Sequence, residues 1–142
     1  MKSRAIITVL LLAAAAPALA AEFNPKTIPP TEEIRKMQWW KACVAWGVAI
    51  RKSSDSPRSR MLLDYLSSQH MISGKDLAHV NDRTLDIGMT ECGMFASRGL
   101  PEQANHTTTA AGTSTQYVYP GRYVYTEPDH EYSVGVIRAI QH

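Results

Sequence analysis

The chain contains side chains capable of acid–base, nucleophilic or metal chemistry, but their spacing matches no catalytic or metal-binding motif. Nucleophilic catalysis needs a nucleophile, a base and an orienting group in contact. The candidate catalytic side chains, which no motif brings together, are His70, His79, Asp76 and Asp82. The histidines, which show no ligand-like spacing with the cysteines, are His70, His79, His106, His130 and His142. We therefore expect a protein that is not an enzyme, with no catalytic residues, no metal and no cofactor.

The first 20 residues have the pattern of a secretory signal peptide. Lys2 and Arg4 form a positive start, an apolar run covers 5–16, and residues 18–20 read Ala-Leu-Ala, which fits an A-x-A cleavage site. The apolar run is shorter than the about 20 residues that span a bilayer, so an uncleaved anchor is the weaker interpretation. No cysteine lies at the cleavage site, so a lipoprotein is not predicted. We expect a mature protein without a membrane span, in a bacterial periplasm or secreted.

The two cysteines, Cys43 and Cys92, both belong to the exported part. In an oxidising compartment two cysteines most simply form one disulfide, and two buried free thiols are the alternative. A disulfide that closes so long a loop stabilises by about 3–4 kcal/mol in the chain-entropy model. A bonded Cys92 cannot serve as a thiolate nucleophile, which argues further against an enzyme.

The charge balance argues against a nucleic-acid partner. The chain has 15 Lys and Arg and 13 Asp and Glu, a net charge of +2. Removing Lys2 and Arg4 from the 15 bases leaves 13 against 13 acids, so the mature chain is neutral. Nucleic-acid-binding domains are typically basic. Hydrophobic residues at 44% and aromatic residues at 8% exclude an obviously disordered chain, and the length allows one domain.

The first part of the mature chain has helical signals. The proline-containing stretch 21–30 is predicted to be extended, and Thr31 can cap a helix over 32–52. That helix is apolar on two sides, which is typical of a buried helix. It also carries every tryptophan of the chain, Trp39, Trp40 and Trp46. Core packing is the plain interpretation of these tryptophans, and a Trp-lined ligand pocket is the alternative.

Three shorter helices are predicted from their capping residues. Ser56 can begin a helix over 57–70, with proline at its first position. Ser73 starts an S-x-x-D capping pattern that opens a short second helix. Thr90 caps a third helix, and Gly99 is its stop.

The last third of the chain loses the helical period and becomes β-prone. Residues 117–119 and 123–125 both read Tyr-Val-Tyr and flank Pro120-Gly121-Arg122, which predicts a hairpin with a three-residue loop. In that register one sheet face carries four tyrosines, namely Tyr117, Tyr119, Tyr123 and Tyr125. Tyrosine suits both cores and interfaces, so this face either packs under the helices or forms an exposed binding face.

These elements predict an α+β fold: N-terminal helices, followed by one more helix and a three- to four-stranded antiparallel β-meander. We predict a signal peptide over 1–20, an extended leader over 21–30 and a single domain over 31–142. The helical part of the domain is 31–80, and the segment 85–142 adds the last helix and the sheet.

Four short motifs follow one another in the segment 85–142. They are Gly-Met-Thr at 88–90, Gly-Leu-Pro at 99–101, Gln-Tyr-Val-Tyr at 116–119 and Val-Ile-Arg-Ala-Ile-Gln at 136–141. Their order resembles the SmpA/BamE-like small exported proteins, whose fold is similar to that of β-lactamase-inhibitor-protein repeats. In that pattern the motifs cap a helix, end it, open a hairpin and close the sheet. The resemblance implies this fold and a non-catalytic, protein-binding role without catalytic residues.

The sequence therefore predicts a non-catalytic exported protein-interaction module, a cell-envelope accessory factor. Its expected partner is a periplasmic or envelope protein held through a sheet edge or the tyrosine face. The alternative is an inhibitor or immunity protein against a secreted hydrolase or toxin, which the small disulfide-bearing format also suits. A small-molecule carrier is a third class, for which the sequence specifies no ligand.

Overall fold

The computed structural model describes residues 31–142, which form five helical segments and one four-stranded sheet. The helices are α1 (Thr31–Ile34), α2 (Trp39–Lys52), α3 (Pro57–Ser68), α4 (Gly74–His79) and α5 (Glu91–Arg98). The strands are β1 (Gln103–Thr109), β2 (Gly112–Tyr119), β3 (Arg122–Glu127) and β4 (Val136–Gln141). Each strand pairs antiparallel with the next, which confirms the α+β class and the C-terminal meander. The predicted signal peptide and leader lie outside the described residues.

The predicted starts of α3, α4 and α5 are confirmed by their caps. Ser56 begins α3, and Ser73 begins α4 with the expected capping box. Thr90 Oγ1 accepts a hydrogen bond from the Gly93 N–H at 3.0 Å at the start of α5. Gly99 ends this helix with a φ of 76°, which glycine adopts without strain. Each cap pairs backbone groups that the helix itself leaves without a partner.

The single long helix predicted over 32–52 is wrong, because the chain turns between α1 and α2. Residues 35–38 leave the helix although none of them is glycine or proline. The turn allows Ile34 to be buried in the core while Trp39 lies against Phe95, with 5.5 Å between ring centroids. Tertiary packing here overrides a favourable helical propensity.

The hairpin between β2 and β3 has a two-residue loop, not the predicted three-residue loop. Tyr119 is opposite Arg122, where the sequence suggested Tyr123. Proline fixes the φ of Pro120, and Gly121 adopts a φ of 73°, so these two residues are enough to reverse the chain. A register shift of one residue moves every side chain of one strand to the opposite face.

The predicted face shared by four tyrosines is therefore wrong. Tyr117 and Tyr119 lie on the inner face of the sheet, where each is 6% exposed. Tyr123 and Tyr125 lie on the outer face, and Tyr123 is 45% exposed. The tyrosines of β2 therefore pack against the helices, and the tyrosines of β3 face outward.

One hydrophobic core joins the helices to the inner face of the sheet, with the fully buried Trp46 on α2 at its centre. Cys43 and Cys92 form the predicted disulfide, which links α2 to α5 with 5.1 Å between Cα atoms. One helical turn further on, Gly47 packs against Ala96. A β-carbon on Gly47 would overlap the Ala96 carbonyl group and lie 2.7 Å from its Cα. The absence of a side chain at this position is therefore what lets the two helices approach.

The disulfide also bears on where the protein resides, because such bonds persist in oxidising compartments and are rare in the cytosol. It suggests a non-cytoplasmic, oxidising environment. Within residues 31–142, no helix combines the length and the apolar content that crossing a bilayer requires.

Candidate interaction surfaces and cavity

β1 is an edge strand, which in the described chain pairs with β2 alone. All seven of its residues are exposed, and the segment Gln103–Thr109 contains neither a charged residue nor a proline. Natural sheets commonly protect an open edge with charges, proline, a bulge or a covering element. β1 lacks the first two and is paired with β2 alone among the described strands, so no strand of residues 31–142 occupies its other side. Such an edge is suited to the addition of a strand from another chain.

The opposite edge of the sheet, β4, is partly covered by the segment that leads into α5. The Ile137 N–H donates to the Met89 carbonyl at 2.8 Å, and the Gly88 N–H donates to the Ile137 carbonyl at 2.9 Å. Val136 also forms an isolated bridge with Thr90. The two edges therefore differ, and β1 is the more open one.

The β1–β2 hairpin extends beyond the rest of the sheet. β2 pairs with β3 from Thr115 onwards, whereas residues 112–114 pair only with residues 107–109. We call residues 107–114 the hairpin arm. An isolated two-stranded hairpin is marginally stable in water, and the arm has a hydroxyl pair, Thr108 and Thr113 with 3.0 Å between Oγ1 atoms, in place of an apolar face. The arm is an uncharged projection with little packing beneath it in the described chain.

The outer face of the sheet carries a row of hydrogen-bonded side chains from all four strands. Asn105 Nδ2 donates to Gln116 Oε1 at 3.0 Å, and Gln116 Nε2 donates to the Tyr125 hydroxyl at 2.9 Å. The Tyr125 hydroxyl donates in turn to Gln141 Oε1 at 3.0 Å. These bonds occupy the polar tip of Tyr125. Tyr123 is the more exposed of the two outward tyrosines and is the better candidate for a contact on this face.

Tyr117 and Tyr119 belong to the core and anchor the sheet to α5. Tyr117 lies edge-on to Phe95 with 5.4 Å between ring centroids, and the Tyr119 hydroxyl donates to the Gly99 carbonyl at 2.9 Å. Burial raises the pKa of both phenols well above the ordinary value, and the charge of Glu91 raises the pKa of Tyr117 further. Both rings therefore remain neutral at physiological pH and do not form a binding face.

A cavity of about 330 Å³ lies where the first residues of α2 and α5 meet the end of β3 and the loop before β4. Trp39 and Tyr132 line it with aromatic surface, and Glu91, which is 9% exposed, lines it with a carboxylate. Glu91 Oε1 accepts from the Thr126 hydroxyl at 2.6 Å, and Oε2 accepts from the Gly135 N–H at 3.2 Å. Trp39 thus borders a cavity, whereas Trp46 is fully buried in the core.

Sequence reasoning missed Glu91 as a site residue. Glu91 directly follows the Thr90 cap, where the helix dipole favours an acidic side chain. An acidic residue at this position is usual in exposed helices too, so the sequence does not indicate that it is buried. Gly135 leaves room for the carboxylate, since a β-carbon there would lie 2.7 Å from Glu91 Oε1. The glycine comes 44 residues later in the chain, so only the fold brings the two together.

Asp76, a candidate acid–base residue from the sequence, is a fully buried structural group. Its carboxyl accepts from the Ser73 N–H at 2.7 Å and from the Thr90 N–H at 2.9 Å, and it lies 2.7 Å from Thr90 Oγ1. Burial raises the pKa of this carboxyl, although the hydrogen bonds from Ser73 and Thr90 oppose the rise. Asp76 ties the start of α4 to the start of α5 and has no access to a substrate.

His79 is the candidate residue that has both a hydroxyl and a carboxylate beside it. Its Nδ1 lies 2.8 Å from Thr84 Oγ1, and its Nε2 lies 3.7 Å from Asp86 Oδ2. The second distance is too long for a hydrogen bond, and Asp86 pairs instead with Lys75 at 2.9 Å. The hydrogen bond from Lys75 holds the pKa of Asp86 below its usual value. These contacts of His79 lie at the end of α4, and they do not provide the oriented base of a catalytic triad.

The other two candidate catalytic residues, His70 and Asp82, are exposed. The side-chain hydrogen bonds and ion pairs of the described residues join neither to Asp76 or His79. In residues 31–142 no group of three or more His, Cys, Asp and Glu side chains is arranged to hold a metal ion. The structure therefore leaves the four candidate residues separate.

No protein-family model matches this chain, and neither a curated protein nor a solved structure shows significant similarity to it. The resemblance of residues 85–142 to SmpA/BamE-like proteins therefore stays a prediction. What the described structure shares with that expectation is the order of its elements, a capped helix followed by an antiparallel meander.

Proposed function

We propose that the mature chain is a non-catalytic exported protein-interaction module that binds a periplasmic or envelope protein by strand addition at β1. The observation that carries the proposal is the open β1 edge, seven uncharged residues that are exposed on both faces. The signal-peptide pattern and the disulfide support an oxidising compartment outside the cytoplasm. Within that compartment we propose the periplasm, where an envelope accessory factor acts.

Strand addition suits β1 because its backbone provides the affinity and its side chains the selectivity. Main-chain hydrogen bonds form with any extended segment of matching direction. The side chains of β1, which alternate between the two faces of the sheet, then lie beside the side chains of the added strand. The polar stretch His106–Thr109 of β1 favours a partner strand that also presents small or hydroxyl-bearing residues. The hairpin arm extends this edge past β3, which lets a partner approach without contact with the helices.

Two adjacent proline variants test the edge. Along an edge strand, successive N–H groups point alternately to the neighbouring strand and to the open side. Of Thr107→Pro and Thr108→Pro, one therefore removes a donor available to a partner and the other removes a donor to β2. We expect one variant to keep wild-type circular dichroism and thermal unfolding while its recovery of partner falls several-fold.

The readout is affinity capture of the C-terminally tagged mature protein after mild crosslinking in the periplasm of its own host. Tyr123→Ser on the outer face is the control and is expected to leave recovery unchanged. Normal recovery with both proline variants, together with loss of recovery for Tyr123→Ser, would move the binding surface to the outer face and overturn the assignment to β1. Failure to recover any specific protein would count against the interaction function itself.

The identity of the captured protein decides between an accessory factor and the alternative role. Outer-membrane or envelope-assembly proteins support the accessory role. A co-encoded secreted hydrolase or toxin, whose activity falls when the purified mature protein is added, establishes an inhibitor or immunity protein instead.

A further inference from the structure

The cavity beside Trp39 has the size and walls of a small-ligand site. Its volume of about 330 Å³ lies near the lower end of the range for ligand pockets. Trp39, Tyr132, Met71 and Val134 give it aromatic and apolar surface. No residue of β1 lines it, and the part of the proposed partner surface that does is Thr113 of the hairpin arm.

Glu91 gives this cavity a charge that the described chain does not neutralise. The residue is 9% exposed, and its two oxygens accept one hydrogen bond each, from Thr126 and Gly135. The Tyr117 hydroxyl also interacts with this carboxylate. A carboxylate has about four acceptor positions, so at least one position remains unused. No Lys, Arg or His among residues 31–142 forms an ion pair with it. The start of α5 offsets part of the cost of burying the charge, but an uncompensated carboxylate favours a cationic ligand.

The remaining charges on the cavity wall are also acidic. Glu127 and Asp129 line it together with Glu91, and no basic residue does. Asp129 is paired with Arg138 at 2.7 Å, which neutralises one of the three carboxylates. The other two leave a negative potential beside a tryptophan and a tyrosine. Carboxylates in a confined space and aromatic rings both attract organic cations.

We propose that this cavity binds a primary ammonium group on a short alkyl stem, with Glu91 as its counter-ion. The ammonium offers three donors, at least one of which can use a free acceptor position of the Glu91 carboxylate. The apolar stem then packs against Trp39 and Met71, where a neutral polar ligand would gain less. The same chemistry is carried by a free alkylamine and by a lysine side chain of another protein, and the test separates these two sources.

The test is a titration of the isotope-labelled mature protein, with its disulfide intact, followed by amide and indole NMR signals. The probes are n-butylammonium chloride, Nα-acetyl-lysine methylamide and, as a neutral probe with the same stem, n-butanol. We expect saturable shifts at the Gly135 amide and the Trp39 indole with the two amines, with a Kd of about 1–10 mM for molecules this small. The same concentrations of n-butanol are expected to produce no saturable shift.

Glu91→Gln keeps the size of the side chain and removes its charge, and is expected to weaken butylammonium binding about tenfold or more. Glu102→Gln is the matched control, since it removes one exposed negative charge outside the cavity lining. If Glu91→Gln does not fold, Trp39→Leu takes its place and is expected to weaken binding several-fold.

The relative affinities of the two amines identify the source of the ammonium group. Tighter binding of the lysine derivative than of butylammonium supports the proposal and assigns the ammonium to a partner's lysine, and the reverse order supports it and assigns a free amine. Equal shifts from butanol and butylammonium, no saturable shift from either amine, or unchanged affinity in a folded Glu91→Gln variant would overturn it.

Discussion

Gly47→Ala tests how closely α2 and α5 pack. A β-carbon at position 47 would overlap the Ala96 carbonyl group, at 2.6 Å from its carbon and 2.7 Å from the Cα. These are backbone atoms of α5, which cannot rotate away as a flexible side chain can. The disulfide between Cys43 and Cys92 lies one turn away and holds the helices together, so relief requires one of them to bend.

The expected effect follows from two opposed terms. Alanine is favoured over glycine in a helix interior by about 0.5–1 kcal/mol. Overpacking a well-packed contact costs about 1–3 kcal/mol and sometimes more, and an overlap with backbone belongs at the upper end. Displacement of α5 also stretches the bond from Arg51 Nη1 to the Ala96 carbonyl, now 2.7 Å long. We expect the free energy of unfolding to fall by about 2–3 kcal/mol.

The assay is urea unfolding followed by tryptophan fluorescence, because Trp46 is fully buried and reports on the core. Gly74→Ala at the start of α4 is the control, since a β-carbon there meets nothing within 4 Å. We expect the control to stay within about 0.5 kcal/mol of wild type or to be slightly more stable. A Gly47→Ala protein as stable as the control would refute the argument from close helix packing.

Two further predictions concern the disulfide and the buried acid. Replacing both Cys43 and Cys92 by serine is expected to lower the free energy of unfolding by about 4 kcal/mol, since the bond spans a sequence separation of 49; a loss under about 1 kcal/mol in urea unfolding would contradict the chain-entropy estimate. The raised pKa of Asp76 means that the folded state holds this proton more tightly than the unfolded state. Its contribution to stability is thus complete below the unfolded pKa of about 3.9 and is lost as the pH rises through the higher folded pKa. Urea unfolding across this range is expected to show a steeper decline for wild type than for Asp76→Asn, and parallel curves would show that Asp76 titrates normally.

Several elements could be predicted because their signals are short and local. Ser56, Ser73 and Thr90 each bond a backbone N–H within the next three residues, so the cap and the helix start lie in one stretch of sequence. Pro120 and Gly121 likewise mark a chain reversal wherever they stand between two β-prone runs. The disulfide could be predicted because the chain has only two cysteines, which leaves one possible pairing.

The candidate sites were less accessible from the sequence. The four-tyrosine face required a correct hairpin register, and an error of one residue in the loop reversed the faces of Tyr123 and Tyr125. β1 lies in the β-prone last third of the chain, but its place at the open edge depends on which strands pair. The cavity brings Trp39, Glu91 and Tyr132 together from three distant parts of the chain.

Local sequence is enough to specify the capped helices, the antiparallel meander and the single cysteine pair, because each depends on conformational preferences within a few residues or on a pairing without alternatives. The break before α2, the register of the central hairpin, the open edge and the burial of Glu91 depend instead on tertiary packing. The physical reason is that these features balance packing over the whole core against small local preferences. The local free energies of a two-residue and a three-residue loop differ by little, as do those of a helix that continues and a helix that ends in a turn. The buried surface that selects between these alternatives is contributed by residues far apart in the chain.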